Sequence, residues 1–284
     1  MPVHNCELYL TKAIESILNQ TFTDFEFIII DDGSTDHSLD IIHTFTRKDA
    51  RVKVFRNKEN KGIFKSRNIG LEKSKGKYIA VMDADDISLP ERFEKQVAFL
   101  NAHPAIDVLG PQKTNIDKNK IKSQTSKYFL SPGLVRWGLL FGYSLCHPSI
   151  MMRRKIIDEH DFRYHTKQVT QDFDLLVRIS SEFKIANLSE TLLLYRVHKN
   201  NISAKKSKLQ QQEAYNIIRS RIKEIISKNI PDEVISGIIF ARHLKKHKEI
   251  TNFRTAREVS RIIIKLYKYA SKWDLTVEEL KFIR

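Results

Sequence analysis

A chain of 284 residues, 41% of them hydrophobic, can bury a sizeable core and carry one large domain plus an extension. It has no run of about eighteen apolar residues, which excludes an obvious membrane span; no basic-then-apolar start suggests a secretory signal, and two distant cysteines, Cys6 and Cys146, fit a reducing cytoplasm and give no metal-binding spacing. The net charge of +15 is uneven: residues 199–284 hold 20 Lys/Arg against 9 Asp/Glu, residues 1–198 hold 29 against 25, so the tail is expected either to meet an anionic partner (nucleic acid, acidic lipid or a phosphorylated substrate) or to be a solvated charged surface on helices.

In chain order, Leu10, Ile14, Ile17 and Leu18 share one face of a predicted helix. Phe25 to Ile30 is β-prone and ends in Asp31-Asp32-Gly33-Ser34-Thr35-Asp36, a turn into a helix capped by Ser34, Thr35 or Asp36 and buried through Leu39, Ile41, Ile42 and Phe45. Val52 to Phe55 reads as a short strand, and Asn60-Lys61-Gly62 turns into a helix bearing Ser66-Arg67-Asn68. Tyr78 to Met82 is a buried strand bounded by Gly76 and Pro90, and Glu91 to Asn101 a helix facing inward through Phe93, Val97 and Leu100. Ile106 to Gly110 is a fourth strand. Such alternation with short connections is the pattern of a βαβ sheet.

Regularity weakens from 111 to 145, where Pro132-Gly133 breaks the chain. Ser149 to Met152 and Leu192 to Val197 read as strands. Between them a helix starts at Thr170, with Asp172 and Asp174 in its first turn and Leu175, Leu176 and Ile179 packing. Beyond 200 the patterns are helical: Ile217 to Ile226, Val234 to Phe240, and Ile262 to Tyr269.

The strand at 78–82 runs straight into Asp83-Ala84-Asp85-Asp86. Carboxylates crowded at the end of a buried strand repel one another and resist desolvation, so a cation there relieves them. Ligands of open α/β sheets bind beyond the carboxyl ends of strands. Asp83 and Asp85 are therefore expected to hold a divalent metal, magnesium or manganese, which suits oxygen ligands. The other reading is a solvated acidic turn in which an Asp caps the next helix.

Six segments in one order carry a resemblance: Pro2-Val3-His4-Asn5, Asp31-Asp32-Gly33-Ser34, Gly62 to Gly70, Asp83-Ala84-Asp85-Asp86 with Pro90, Gln171-Asp172-Phe173-Asp174-Leu175, and Tyr195-Arg196-Val197-His198. Over residues 1 to 203 the chain resembles inverting family 2 glycosyltransferases of the GT-A fold, and among these the bacterial enzymes that extend lipooligosaccharide or capsule chains; Cys146 to Arg154 adds to the closer likeness. The resemblance implies an α/β fold with a mixed, mainly parallel sheet flanked by helices, a catalytic domain over 1–203 and a basic helical extension over 204–284. It implies transfer of a hexose or N-acetylhexosamine from a nucleotide-diphosphate sugar, a UDP-sugar above all, to a saccharide or lipid-linked hydroxyl.

By the same resemblance the donor is bound by Pro2, Val3, Asn5, Asp32, Gly33, Arg67, Asp83, Ala84, Asp85 and Arg196. Asp32 would accept from the uracil imide or simply cap its helix. Arg67 would approach the diphosphate or base, or simply be a surface arginine on its helix. Asp83 would face the ribose or the metal, and Asp85 and His198 would lie at the metal; Asp86 would assist or cap the next helix; Arg196 and His198 would sit near the diphosphate or metal on a mobile loop, or simply pack. Asp172 would be the general base, with Asp174 capping or orienting. The family has a full strand ahead of Pro-Val-x-Asn, whereas this chain starts at Met1-Pro2, so that strand is expected to be nearly absent, through a late start or a truncation.

Two other classes compete. Asp83-x-Asp85 after an apolar strand also resembles a haloacid dehalogenase-type phosphatase, although Ile87 stands where that family has Thr or Val and no second acidic pair closes a later strand. The basic tail suggests a nucleic-acid-binding protein, but its aromatics are not arranged as platforms for base stacking and no zinc or helix-turn-helix signature is clear, so no nucleic-acid partner is expected. The tail is read instead as a basic amphipathic helix on an anionic membrane at the inner face of the cell, with Ile262, Ile263, Leu266 and Tyr267 inserted and Arg261, Lys265, Lys268 and Lys272 at the headgroups, or as a helical cap on the catalytic domain or on a second subunit of a homo-oligomer.

Overall fold

The computed structural model describes residues 1–117, 120–121, 125–165, 169–199, 201–226, 230–240 and 253–283. The first part runs β1 (Pro2–Val3), α1 (Glu7–Leu18), β2 (Phe27–Asp31), α2 (Ser38–Lys48), β3 (Val52–Arg56), α3 (Ile63–Lys73), β4 (Tyr78–Ala80), β5 (Ile87–Ser88) and α4 (Arg92–Ala102). The middle holds β6 (Val108–Asp117), β7 (Lys120–Ile121), α5 (Pro132–Leu139), β8 (Met151–Arg153), α6 (Lys155–Asp158), α7 (Gln171–Glu182) and β9 (Ile185–Arg196). Among the described residues there follow α8 (Ile202–Lys205), α9 (Ser207–Ile226), α10 (Asp232–Phe240), α11 (Phe253–Ala270) and α12 (Val277–Ile283).

Strand β2 is Phe-Ile-Ile-Ile-Asp, buried along its whole length at the centre of a parallel sheet, β1-β2-β3. Its near-continuous apolar run suits a parallel strand covered on both faces. The second sheet is mixed, in the order β4-β8-β6-β9-β5 with β7 on β6; its longest pairing is the parallel β6–β9. Strand β1 is two residues long, Pro2 opposite Ile30 and Val3 opposite Asp31. Between β2 and β4 lies a cavity of about 760 Å³ lined by Met1, Ile28, Ile30, Tyr78, Ala80 and Val97.

The sheet continues where irregularity was expected. Strand β6 does not stop at Gly110 but runs to Asp117, and β9 begins at Ile185 rather than Leu192. Polar residues on the buried face conceal this. Gln112 is buried but donates to the Leu188 carbonyl at 2.9 Å and accepts from the Tyr128 amide at 2.7 Å, and Thr114 pairs with Thr125. Satisfied in this way, polar side chains sit in a core at little cost.

One apolar cluster joins α1, β2 and α4 through Leu10, Ile14, Ile17, Ile29, Phe93 and Leu100. The other gathers Val108, Phe173 and Leu176 together with Ile218, Ile222, Ile235 and Leu266 from α9, α10 and α11. Helices beyond residue 203 thus pack into the same cluster as the sheet-bearing part. Leu266 is fully buried there and Ile262, Ile263 and Tyr267 pack against it, so the apolar face expected to insert into a membrane is used within the molecule. Among the described residues no helix is long and apolar enough to cross a membrane.

Candidate active site

Three chain segments meet at Arg67. It lies on α3, is only 9% exposed, and its Nη2 donates to Asp83 Oδ1 at 2.8 Å. It is therefore no surface arginine on a helix. Asp83, Asp172 and the Tyr164 hydroxyl all act on its charge and hold the guanidinium firmly protonated against its burial. Ser66, beside it, shares the Asn57 side-chain amide with Asp32.

Asp32 is buried at the end of β2, and its carboxylate is largely occupied. Oδ1 accepts from Asn57 Nδ2 at 2.8 Å and from the Lys61 amide at 3.0 Å; Oδ2 accepts from the Gly62 amide at 2.9 Å. Burial pushes its carboxyl up, and these bonds with Ser66 outweigh that and hold it below the ordinary value. Asp32 therefore builds the 57–62 loop and does not cap α2. Gly33 adopts φ +68°, and a Cβ there would meet the Glu59 backbone at 2.7 Å, so only glycine fits. Asn5, at φ +51°, is exposed and accepts from the Thr35 amide at 2.8 Å, while the Val3 carbonyl accepts from the Asp32 amide. Pro2 pairs with β2 alongside them.

The acidic turn is held from behind and from the side. Behind it, Arg92 is fully buried; its Nη2 donates to the Val81 carbonyl at 2.7 Å and its Nε to Gln96 Oε1 at 3.2 Å. From the side, β5 pairs with β9 and brings Arg196 and His198 to the turn. Arg196 Nε donates to the Asp85 carbonyl at 2.7 Å, and its guanidinium lies 4.7 Å from the centre of the Tyr9 ring. Arg196 is buried, so it supports the turn instead of reaching toward a diphosphate. Asp86 accepts from the Arg196 amide at 2.8 Å and is buried; it neither caps α4 nor faces the site. Burial and the charges of Asp85 and Asp83 raise its carboxyl well above the usual range.

Asp85 Oδ2 meets His198 Nε2 at 2.9 Å and accepts from Asn201 Nδ2 at 3.2 Å. His198 so placed lies against the carboxylate expected at the metal. Burial and the Asp83 charge raise the Asp85 carboxyl, and His198 pulls it back. Among the described residues no group of three or more His, Cys, Asp or Glu could hold a metal. The pair Asp83 and Asp85, on either side of buried Ala84, fits a metal bound through one or two carboxylates with substrate phosphates completing the shell, the habit of magnesium.

Asp172 stands in the first turn of α7, where the helix dipole favours its ionised form. Its Oδ1 accepts from Tyr143 Oη at 3.2 Å and from the Phe173 amide at 2.9 Å. Burial raises its carboxyl, against the pull of Arg67, the Phe173 amide and Tyr143. Asp174 pairs with Arg178 at 2.9 Å, and Arg178 Nη2 donates to the Arg163 carbonyl, so Asp174 steadies the helix. Thr170 precedes α7 but makes no side-chain cap of its own. The hydroxyl turns to Glu213 of α9, a contact that sequence reasoning missed together with Arg92, Asn201 and Tyr143. Arg92 alone left a trace: Arg92, Gln96 and Leu100 fall on one helical stripe, which marks Arg92 as inward-facing.

The model of glycosyl transferase family 2 matches residues 1–161. The chain belongs to glycosyl transferase family 2. An uncharacterized glycosyltransferase of Haemophilus influenzae is 30% identical over 96% of this chain and 86% of its own length. The Escherichia coli UDP-Glc:alpha-D-GlcNAc-diphosphoundecaprenol beta-1,3-glucosyltransferase WfaP is also 30% identical, over 72% and 78%. Among solved structures, S. aureus TarS 1-349 in complex with UDP-GlcNAc superposes with a TM-score of 0.68 over 94% of this chain and 78% of that one, at 19% identity, and so shares the fold. Membership decides against the phosphatase and nucleic-acid-binding readings of this glycosyltransferase.

Proposed function

We propose that this glycosyltransferase moves a hexose or N-acetylhexosamine from a UDP-sugar to the hydroxyl of a saccharide or lipid-linked acceptor, with inversion, in the synthesis of cell-surface polysaccharide or lipooligosaccharide. Support comes from the UDP-GlcNAc bound by TarS and from the diphosphoundecaprenol acceptor in the name of WfaP. The single observation that carries the chemistry is Arg67, buried and paired to Asp83, with the charge of Asp172 acting on the same guanidinium.

The geometry supports one division of labour. The turn around Asp32, Gly33 and Asn5, with the 57–62 loop, forms the nucleotide end. Arg67 meets the diphosphate, with Asp83 fixing its direction. A magnesium or manganese ion held through Asp83 and Asp85 would neutralise charge on the departing diphosphate. Asp172 accepts the proton of the acceptor hydroxyl as that oxygen attacks the sugar carbon on the face opposite the leaving group. General base catalysis of this kind is worth a factor of about 100 to 10,000. The site is cytoplasmic in this reading, and the basic tail keeps the enzyme at an anionic membrane surface near a lipid-linked acceptor.

A panel of nucleotide sugars, assayed for hydrolysis and transfer with and without manganese or magnesium, tests the reading. Turnover of a UDP-sugar that stops when the metal is chelated is expected. Asp172→Asn should lose transfer by about 100-fold or more and keep UDP affinity. Equal loss of binding and turnover would remove Asp172 from the base role.

A further inference from the structure

Helix α9, beyond the segment matched by the family model, grips the start of the helix that carries Asp172. Oε2 of Glu213 accepts three hydrogen bonds: from the Val169 amide at 2.7 Å, from the Thr170 amide at 3.0 Å and from Thr170 Oγ1 at 3.0 Å. Thr170 is the residue before α7, and Asp172 follows two positions later. The amides at a helix start have no partner within the helix. Here a carboxylate from a residue 43 positions further along supplies one. Bonds to an ionised acceptor are about twice as strong as neutral ones, and a negative charge at this end opposes the helix dipole favourably.

A second contact from α9 reaches Asp172 itself, through Tyr143. Gln210 Nε2 lies 3.5 Å from Tyr143 Oη, and that hydroxyl donates to Asp172 Oδ1. Gln210 and Glu213 are three residues apart and so lie on one face of α9. Ile218 and Ile222, one and two turns further on, are buried in the core cluster and fix the helix in place. Tyr143 is also set against the Phe173 ring, 4.8 Å between centres.

We propose that Glu213 is a positioning residue for the general base: through Val169 and Thr170 it sets the entry of α7 and with it the place of Asp172, so that the C-terminal helices belong to the catalytic apparatus. The proposal rests on Asp172 being the base. Glu213 need not touch donor or acceptor. Its effect falls on the transfer step, because a displacement of about 1 Å in a reacting group costs up to about 100-fold in rate.

The test uses the full chain with Glu213→Ala, Glu213→Gln and Asp172→Asn, measuring kcat and KM for transfer, UDP affinity by calorimetry and the thermal midpoint. Glu213→Ala is expected to lower kcat by about 10- to 100-fold with UDP affinity unchanged within about twofold. Glu213→Gln keeps an oxygen acceptor without its charge, so its kcat should lie between alanine and wild type. A Glu213→Ala enzyme with a lower thermal midpoint but wild-type kcat overturns the proposal, and so does a loss of UDP affinity that matches the loss of kcat. Should the alanine variant fail to fold, Glu213→Gln decides: a few-fold lower kcat at an unchanged midpoint supports the role, and an unchanged kcat overturns it. Asp172→Asn separates the two ideas. If it still transfers sugar, the base assignment has failed; if it is dead while both Glu213 variants behave as wild type, only the positioning role has.

Discussion

Asp172 needs its negative charge to take a proton, yet burial works against that charge. The Tyr143 hydroxyl donates to it and favours the ionised form, as do Arg67 and the Phe173 amide, while Asp83 opposes. Tyr143→Phe removes one stabilising bond and adds no bulk, so the Asp172 carboxyl should rise further. A general base with a higher pKa stays protonated to higher pH, and the acid limb of log kcat/KM should therefore move up in pH while the plateau changes less. A limb that stays put or moves down would mean that the hydroxyl does not act on the base. Asp83 and Asp85 stand out in the sequence because they follow a sharp change from apolar to acidic residues, and Asp172 because it falls in the first turn of a helix. Tyr143 and Asn201 do not: their contacts span 29 and 116 positions, and nothing in the local pattern around either one announces a partner.

At the scale of elements, the turn after β2 and the loop after β3 form one unit, held by Asp32 and by the close approach of Gly33 to Glu59. The strands themselves were legible, since five apolar-to-acidic residues in a row admit few other readings. The use of Asp32 was not, because a carboxylate at a strand end looks the same whether it serves a ligand or a neighbouring loop. Asp32→Ala should leave buried donors unmet and cost about 1–3 kcal/mol, read as a lower urea midpoint with an unchanged slope. The pH dependence follows from the lowered carboxyl of Asp32. Its charge stabilises the fold above the unfolded carboxylate value, and that contribution disappears as pH falls through the lower folded value. The stability gap between wild type and Asp32→Asn should therefore be widest near neutrality and close in acid. A gap that stays constant to low pH would show that the ionised carboxylate is not what holds the loop.

For the whole molecule, the charge imbalance seen in sequence becomes a surface once the helices are folded. The amphipathic pattern of α11 marks a helix, but pattern alone does not tell whether an apolar stripe faces lipid or protein; Leu266 and its neighbours face protein. What α11 leaves outside is Arg257, Arg261, Lys265 and Lys268 with exposed Ile264 among them. An attraction to anionic lipid must then be electrostatic, worth about 1 kcal/mol for each cation near the surface and screened over about 10 Å at 0.1 M salt. Binding to vesicles containing phosphatidylserine should be strong at low salt and fall steeply as salt rises. The double change Lys265→Gln, Lys268→Gln should weaken it by roughly thirtyfold, whereas Ile264→Ser should leave it nearly unchanged. If the serine variant loses binding and salt does not, the helix inserts apolar side chains after all, and α11 would have to leave the core to do so.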